Sequence, residues 1–245
     1  MSSSEKPTYF FSDVHLGAGD QKREKIKLEK MATLLELIIA NNGRCFILGD
    51  LFDFWFEFYG GIPSGNNEAL DILRSATQRG LEITIVGGNH DYWLGNRFIS
   101  ITGCTVLKRP YTGNIKGIRI YAGHGDGLAP SDWGYRNILK PILRFPINIF
   151  LFKLFPKKFG ECLARFVSNG SKIYTKKRNL KFEAEYIEAS EALADNGFDC
   201  IIVGHTHEPA RKVSLDNSLY INLGDFFEQF TYAVLESGNF EIHKI

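Results

Sequence analysis

No uninterrupted apolar stretch of about 18 residues occurs in the 245-residue chain, so nothing in it reads as a bilayer-spanning helix. Nothing apolar follows Met1-Ser2-Ser3-Ser4-Glu5-Lys6 either; without a secretory h-region, the expectation is a cytosolic protein. Cysteine is scarce. Cys45, Cys104, Cys162 and Cys200 lie far apart with no C-x-x-C pair, which reads as reduced packing residues rather than disulfides or a thiolate zinc site. Net charge is nearly absent at +1, but the total hides an asymmetry. Residues 136–181 hold twelve of the 29 Lys and Arg and one of the 28 Asp and Glu, so positive charge is concentrated in one segment. With 44% hydrophobic residues, the chain can bury a sizeable core, and one large α/β domain over residues 1–245 is the expectation.

Histidine is also rare, and its placement is informative. Five of the six, His15, His90, His124, His205 and His207, fall where a short apolar run ends beside glycine or a carboxylate. Cys200 to Val203 stops at Gly204 and is followed by His205 and His207, which at i and i+2 in extended or tightly turning backbone reach one point in space. The same grammar recurs upstream. Tyr9-Phe10-Phe11 leads to Asp13 and His15, Phe46-Ile47-Leu48 to Asp50, Ile83 to Val86 to Asn89-His90-Asp91, and Ile118 to Ala122 to His124. Buried strands that carry polar chemistry at their C-terminal ends are the α/β pattern, so five strand ends are expected to converge on one site.

Between these runs, apolar residues at helical spacing predict helices over 22–40, 67–79 and 179–196, giving right-handed βαβ units. Residues 105–110 and 114–122 predict a hairpin joined near Thr112-Gly113, and residues 212–213, 219–222, 231–235 and 240–243 a closing antiparallel set. Asp13, Asp50, Asn89 and His124 follow one another at 37, 39 and 35 residues, whereas His205 comes 81 later. The excess marks an insertion over 132–178, basic and rich in Leu, Ile and Phe. Such a segment serves as a helical cap on its own domain, as an element lying in a membrane interface, or as both.

Imidazole, carboxylate and amide oxygen without thiolate point to hard or borderline divalent ions such as manganese, iron or zinc. Seven candidate ligands, Asp13, His15, Asp50, Asn89, His124, His205 and His207, are too many for one ion. Two ions about 3.5 to 4 Å apart are the arrangement that clamps the attacking and leaving oxygens of a phosphoryl displacement, with Asp50 the best bridge.

Taken together, Asp13-x-His15, Gly49-Asp50, Gly88-Asn89-His90-Asp91, Gly123-His124 and Gly204-His205-x-His207 resemble the signature of the calcineurin-like metallophosphoesterases, in order and over the whole chain. The resemblance implies a four-layer α/β/β/α sandwich, here with a cap inserted at 132–178. It implies one metal on Asp13, His15, Asp50 and His207, a second on Asp50, Asn89, His124 and His205, and a bridging hydroxide as nucleophile. His90 would donate to the phosphoryl or leaving-group oxygen and Asp91 would orient His90. The aromatic run after Asp50, the segment His124-Gly125-Asp126-Gly127-Leu128 and the basic insertion are similar to the UDP-2,3-diacylglucosamine diphosphatases of lipid A synthesis. That likeness implies a lipidic UDP-sugar as substrate, Asp132, Tyr135, Arg165, Ser168 and Lys172 as its contacts, and manganese as the first candidate metal. It also implies a peripheral place on the cytoplasmic face of the inner membrane, in contact with anionic lipid. His90 departs from the pattern, since those enzymes carry Arg there, which keeps open another lipidic, nucleotide or phosphoester substrate.

Two further readings differ in class. A nuclease would use the basic segment on a polyanionic backbone, but its cations alternate with Leu, Ile and Phe rather than stacking platforms, so no nucleic-acid partner is expected. A non-enzymatic scaffold would show a lost ligand, and none is lost.

Overall fold

A computed structural model describes residues 6–157, 160, 179–214 and 217–245. Thr8–Phe11 (β1) and Arg44–Ile47 (β2) pair in parallel with Phe10 opposite Phe46. Ile83–Val86 (β3) and Thr105–Leu107 (β4) extend that sheet in parallel on one side. Thr231–Glu236 (β10) and Asn239–Lys244 (β11) extend it antiparallel on the other, giving the order β11-β10-β1-β2-β3-β4. A second sheet is built from Tyr111–Ile115 (β5), Ile118–Ala122 (β6), Cys200–Val203 (β7), Ala210–Val213 (β8) and Leu219–Asn222 (β9), in the order β5-β6-β7-β9-β8.

The two-residue period of the strands assigns each apolar side chain to a layer. From the first sheet, Phe10, Phe46, Leu48 and Val86 meet Ile120, Ala122, Cys200 and Ile202 of the second, which makes the core between the sheets. Their sequence neighbours Tyr9, Phe11, Cys45 and Ile47 face outward onto Met31, Leu34 and Ile38 of helix Gln21–Ala40 (α1) and Leu70 and Leu73 of helix Asn67–Gln78 (α2). On the far side Ile201, Val203 and Tyr220 pack against Tyr186 and Ala194 of helix Asn179–Ala194 (α6). Helix, sheet, sheet and helix therefore stack as four layers, each large side chain so buried contributing about 1.5 to 3 kcal/mol.

Two expectations about strand pairing are corrected. The hairpin turns at Lys116 and Gly117, whose successive positive φ values of 56° and 83° are those of a two-residue turn matched to strand twist, so Thr112 and Gly113 lie inside β5. β4 leaves the hairpin and joins β3. The closing set divides between the sheets: β8 and β9 complete the second, with β9 parallel to β7, whereas β10 and β11 flank β1 in the first.

Helix Asn96–Thr102 (α3) had no sequence signal of its own. The carboxylate of Glu57, far upstream, accepts from the backbone N–H groups of Gly95, Arg97 and Phe98 at 3.0, 3.1 and 2.9 Å and so satisfies its first turn.

The expected insertion begins with a short turn at Pro130–Asp132, then a wide turn at Tyr135–Leu139 and helices Lys140–Arg144 (α4) and Pro146–Lys153 (α5). This cap docks through Phe152, whose ring meets Phe56 edge-on at 4.7 Å, and through the Trp93 indole N–H, which donates to the Leu143 carbonyl at 3.2 Å. Much of its outer face is apolar and exposed, including Ile147, Phe150 and Leu154. Arg165, Ser168 and Lys172 lie outside the described residues. No helix among the described residues is long and apolar enough to cross a membrane.

Candidate metal centre

Five loops meet at the carboxyl ends of β1, β2, β3, β6 and β7, and backbone hydrogen bonds tie them together. The loop after β1 runs beside that after β2, with Asp13 N–H donating to the Gly49 carbonyl and His15 N–H to the Asp50 carbonyl at 3.1 and 2.9 Å. Gly204 N–H donates to the His124 carbonyl at 3.0 Å, which joins the loops after β7 and β6. Such closeness demands glycine at the contact points: a Cβ on Gly88 would collide with Asp50 Oδ1, and one on Gly204 with Ser12 Oγ and Asp13 Oδ2. Asp13, His15, Asp50, His205 and His207 all adopt left-handed backbone, with φ between 47° and 70°.

Each key carboxylate has one oxygen pinned and the other presented. Asp13 Oδ2 accepts from the backbone N–H of His205 at 3.0 Å, which turns Oδ1 toward His207 Nε2 at 3.2 Å and His15 Nε2 at 3.7 Å. Asp50 Oδ1 accepts from the backbone N–H of His90 at 2.9 Å, leaving Oδ2 facing His124 Nε2 at 3.2 Å and His15 Nε2 at 3.8 Å. Asp50 thus stands between the group Asp13, His15, His207 and the group Asn89, His124, His205.

The protonation pattern is that of a cation site. His124 Nδ1 lies 2.9 Å from the Leu48 carbonyl and so must carry the ring proton there. Its Nε2 then faces Asn89 Oδ1 at 2.8 Å, His205 Nδ1 at 3.0 Å and Asp50 Oδ2 at 3.2 Å. Four atoms that can each offer a lone pair to a cation converge there. In the other group, Asp13 Oδ1 and His15 Nε2 are buried without a hydrogen-bond partner. Asp13, His15 and His207 form one cluster of three donor atoms within 4.8 Å of one another, and Asp50, His124 and His205 another, so the residues present fit two divalent ions.

The electrostatics agree. Burial alone would depress His15 and His124, but the facing carboxylates of Asp13, Asp53 and Asp50 raise His15 to about 9, and Asp50 with Asp13 raises His124 to about 10. Burial and the neighbouring His124 lower His205 to about 4. Against its own burial, Asp13 is held well below the ordinary carboxylate range by His124, His15 and His207. The cluster draws positive charge to itself.

His90 sits at the rim. Its Nδ1 lies 2.7 Å from the Asp53 carbonyl and its Nε2 3.9 Å from Asp50 Oδ2. Sequence reasoning gave Asp91 the task of orienting this ring, and the structure assigns that task to Asp53. The Asp91 carboxylate instead accepts backbone N–H groups from Gly88 and Leu51 at 2.8 Å each and from Asp50 and Phe52 at 3.2 and 3.4 Å. It braces the loops after β2 and β3 against each other. Burial and Asp50 raise it to about 6.

Of the expected substrate contacts, Asp132 ends the turn that opens the cap, and Tyr135 donates its hydroxyl to Asp126 Oδ2 at 2.8 Å. Three residues at the site were not assigned from sequence. Asp53 faces His15 Nδ1 at 3.5 Å; Phe227 meets the His15 and His207 rings edge-on at 5.7 and 5.1 Å; Gln229 donates to the His207 carbonyl at 2.6 Å. Asp53 follows Asp50 by three residues in a run already noted, which was signal enough; the other two come from the segment after β9, which carries no ligand and gave none. A cavity of about 470 Å³ opens over the cluster, lined by His15, Asn89, His90, His205 and His207 together with Arg23.

Comparison with known proteins accords with this geometry. A model of the family described as calcineurin-like phosphoesterase matches residues 6–209. A Pseudomonas fluorescens protein named UDP-2,3-diacylglucosamine hydrolase is 30% identical over 235 residues, covering 94% of this chain and 92% of its own. An Aeromonas salmonicida protein of the same name is 30% identical over 240 residues, covering 94% and 90%. Among solved structures, the E. coli phosphoesterase Yfce superposes over 97% of this chain and 92% of its own with a TM-score of 0.50 at 13% identity, a likeness of fold.

Proposed function

The chain belongs to the calcineurin-like phosphoesterase family and is a hydrolase of phosphoesters; from that premise we propose that it cleaves the diphosphate of UDP-2,3-diacylglucosamine, releasing UMP and 2,3-diacylglucosamine 1-phosphate. The observation that carries the lipid reading is the cap. Its exposed Ile147, Phe150, Leu151 and Leu154 stand among Lys153 and Lys157, so one element offers apolar surface for acyl chains and cations for phosphate. Burying one methylene is worth about 0.8 kcal/mol, so such a surface favours a long-chain substrate over a water-soluble ester. The names of the relatives agree.

Asp13, His15, Asp50 and His207 would hold one divalent ion and Asp50, Asn89, His124 and His205 the second, with manganese first and iron or zinc next. Such a pair supplies an activated water near neutral pH and offsets charge on the phosphoryl oxygens. The chain's own residues do the rest. Leu48 keeps His124 in the tautomer whose Nε2 lone pair faces the cluster, and Asp53 does the same for His90. Burial lowers His90, so it is neutral until an anionic phosphoryl group approaches Nε2; it then takes up a proton and passes it to the leaving oxygen. Asp132, Tyr135, Arg165, Ser168 and Lys172 would contact the substrate. The basic, apolar cap would rest on anionic lipid at the cytoplasmic face of the inner membrane.

A second reading follows from His90, which replaces the Arg of those diphosphatases: hydrolysis of a different lipidic, nucleotide or other phosphoester. The test separates them. Protein with manganese is given the UDP-linked diacyl sugar or a bis-nitrophenyl phosphodiester, and UMP and nitrophenol are followed. UMP release that Asn89→Ala abolishes supports the first reading. Nitrophenol release with no UMP from the lipid sinks it.

A further inference from the structure

We propose that Asp126 is a positioning residue, the seat on which the cap is fastened to the loop that carries His124. Three side chains of the cap end on one of its oxygens. Tyr135 Oη donates to Oδ2 at 2.8 Å, Arg144 Nη2 at 2.8 Å and Lys140 Nζ at 2.9 Å. Lys140 also donates to the Asp126 carbonyl at 2.7 Å. The carboxylate is only 8% exposed, so these are charge-assisted bonds largely shielded from water, the strong kind.

What Asp126 fastens the cap to is itself held rigidly. The His124 carbonyl accepts from Gly204 N–H, and the Gly125 carbonyl from the Tyr186 hydroxyl at 2.8 Å, so the loop is clamped to β7 and to α6. Gly125 and Gly127, with φ of 105° and 76°, flank Asp126 and let the chain turn its carboxylate toward the cap while His124, two residues earlier, faces the cluster. Other ties of the cap among the described residues include the Ser131 N–H on the Glu185 carboxylate at 2.9 Å, where the cap begins, one indole N–H on Leu143, one backbone N–H of Tyr59 on the Lys153 carbonyl at 3.3 Å, the Arg144 guanidinium over the Tyr92 ring at 4.1 Å, and aromatic edges. Without the Asp126 charge, Arg144 and Lys140 lose their shared counterion, the one carboxylate paired with either of them among the described residues. A cap that carries the lipid contacts, as in the function proposed above, would then close less often over the cluster. This second consequence rests on that reading; the seat itself does not.

Hydrogen exchange of the full-length protein tests the seat without any substrate. In Asp126→Asn, amides of α4 and α5 should exchange roughly tenfold faster or more than in wild type, while β1, β6 and β7 keep wild-type rates. Because Asp126 adjoins His124, the double variant Lys140→Gln with Arg144→Gln removes both ion pairs from the cap side, leaving only the Tyr135 hydroxyl on Asp126, and should show the same acceleration. Cap amides at wild-type rates in the double variant overturn the proposal, whatever Asp126→Asn does to the core. With the UDP-linked diacyl sugar, the double variant should raise KM roughly tenfold and hold kcat within about twofold. A fall in kcat at unchanged KM would place the effect on the chemistry of the cluster and also overturn it. If wild type releases no UMP, the substrate reading fails and the exchange experiment still decides the seat.

Discussion

Loading the chelated protein with a divalent cation at pH 7 should expel roughly two protons per molecule. The number follows from the side chains that must surrender a lone pair. Despite burial, the carboxylates around His15 and His124 keep these rings protonated up to about 9 and about 10, so at pH 7 both are charged. His205, lowered to about 4 by burial and His124, brings no proton, and the depressed Asp13 and Asp50 are already ionised. An imidazole binds a metal only as the free base, so His15 and His124 each release one proton on loading. The apparent association constant for manganese should therefore climb about a hundredfold per pH unit from 6.5 to near 9, with each proton worth about 1.4 kcal/mol per unit, and flatten above 10. Calorimetric titration with manganese in buffers of equal pH but different ionisation enthalpy counts the protons directly. Asp50→Asn removes the charge that raises His124 most and should cut the yield to roughly one while weakening the ion. No proton release, with affinity flat across this range, would refute the assignment of His15 and His124 as ligands.

The same shifts make a stability prediction for the chelated protein. His15 and His124 are raised above an unfolded value near 6.5, so the stability they contribute is complete below that pH and is lost as pH climbs through 9 and 10. Between pH 6.5 and 8, unfolding free energy from urea titration should fall by at most about 2.7 kcal/mol per unit, and a flat profile contradicts the shifts. Above 8, Lys108, lowered to about 8 by burial, begins to offset the loss. Asp91→Ala strands the N–H groups of Gly88, Asp50, Leu51 and Phe52 and should cost about 3 to 5 kcal/mol in the same assay; a loss under about 1 kcal/mol would show that Asp91 does not brace those loops.

The cluster of carboxylates and imidazoles could be read from sequence because strand chemistry is local. An apolar run buried on both faces must end where a polar group begins, so Phe11 before Asp13, Leu48 before Asp50 and Val203 before His205 mark both the strand and its site. The roles of Asp53, Asp91 and Gln229 were hidden because each acts on the backbone of a segment that sequence does not place beside it: the Asp53 carbonyl on the His90 ring, Asp91 on the loop after β2, Gln229 on the His207 carbonyl. Helix α3 was missed for the same reason, its N-terminal N–H groups being satisfied by Glu57 rather than by a neighbour. The hairpin misreading is of another kind. Thr112-Gly113 and Lys116-Gly117 are both plausible turns, and only pairing of Tyr111 with Ala122 and Ile115 with Ile118 decides between them.

Backbone strain connects these observations. Left-handed backbone costs an L-residue roughly 1 to 2 kcal/mol, and Asp13, His15, Asp50, His205 and His207 all adopt it. Asp and His tolerate that region better than β-branched residues, yet five such residues at one site oppose folding by several kcal/mol unless neighbours hold them. They are held by each other: Asp13 carboxylate on His205 N–H, Asp50 carbonyl on His15 N–H, Asp13 carbonyl on Phe226 N–H, Asp91 on Asp50 N–H. The bonds that force the backbone into strain are thus the bonds that aim Asp13 Oδ1 and Asp50 Oδ2 at the imidazoles. A cluster that costs folding free energy, crowds buried carboxylates against imidazoles and lines an open cleft is better explained as a site built for cations than as a packed core, where Val and Ile would have satisfied the same strands without strain.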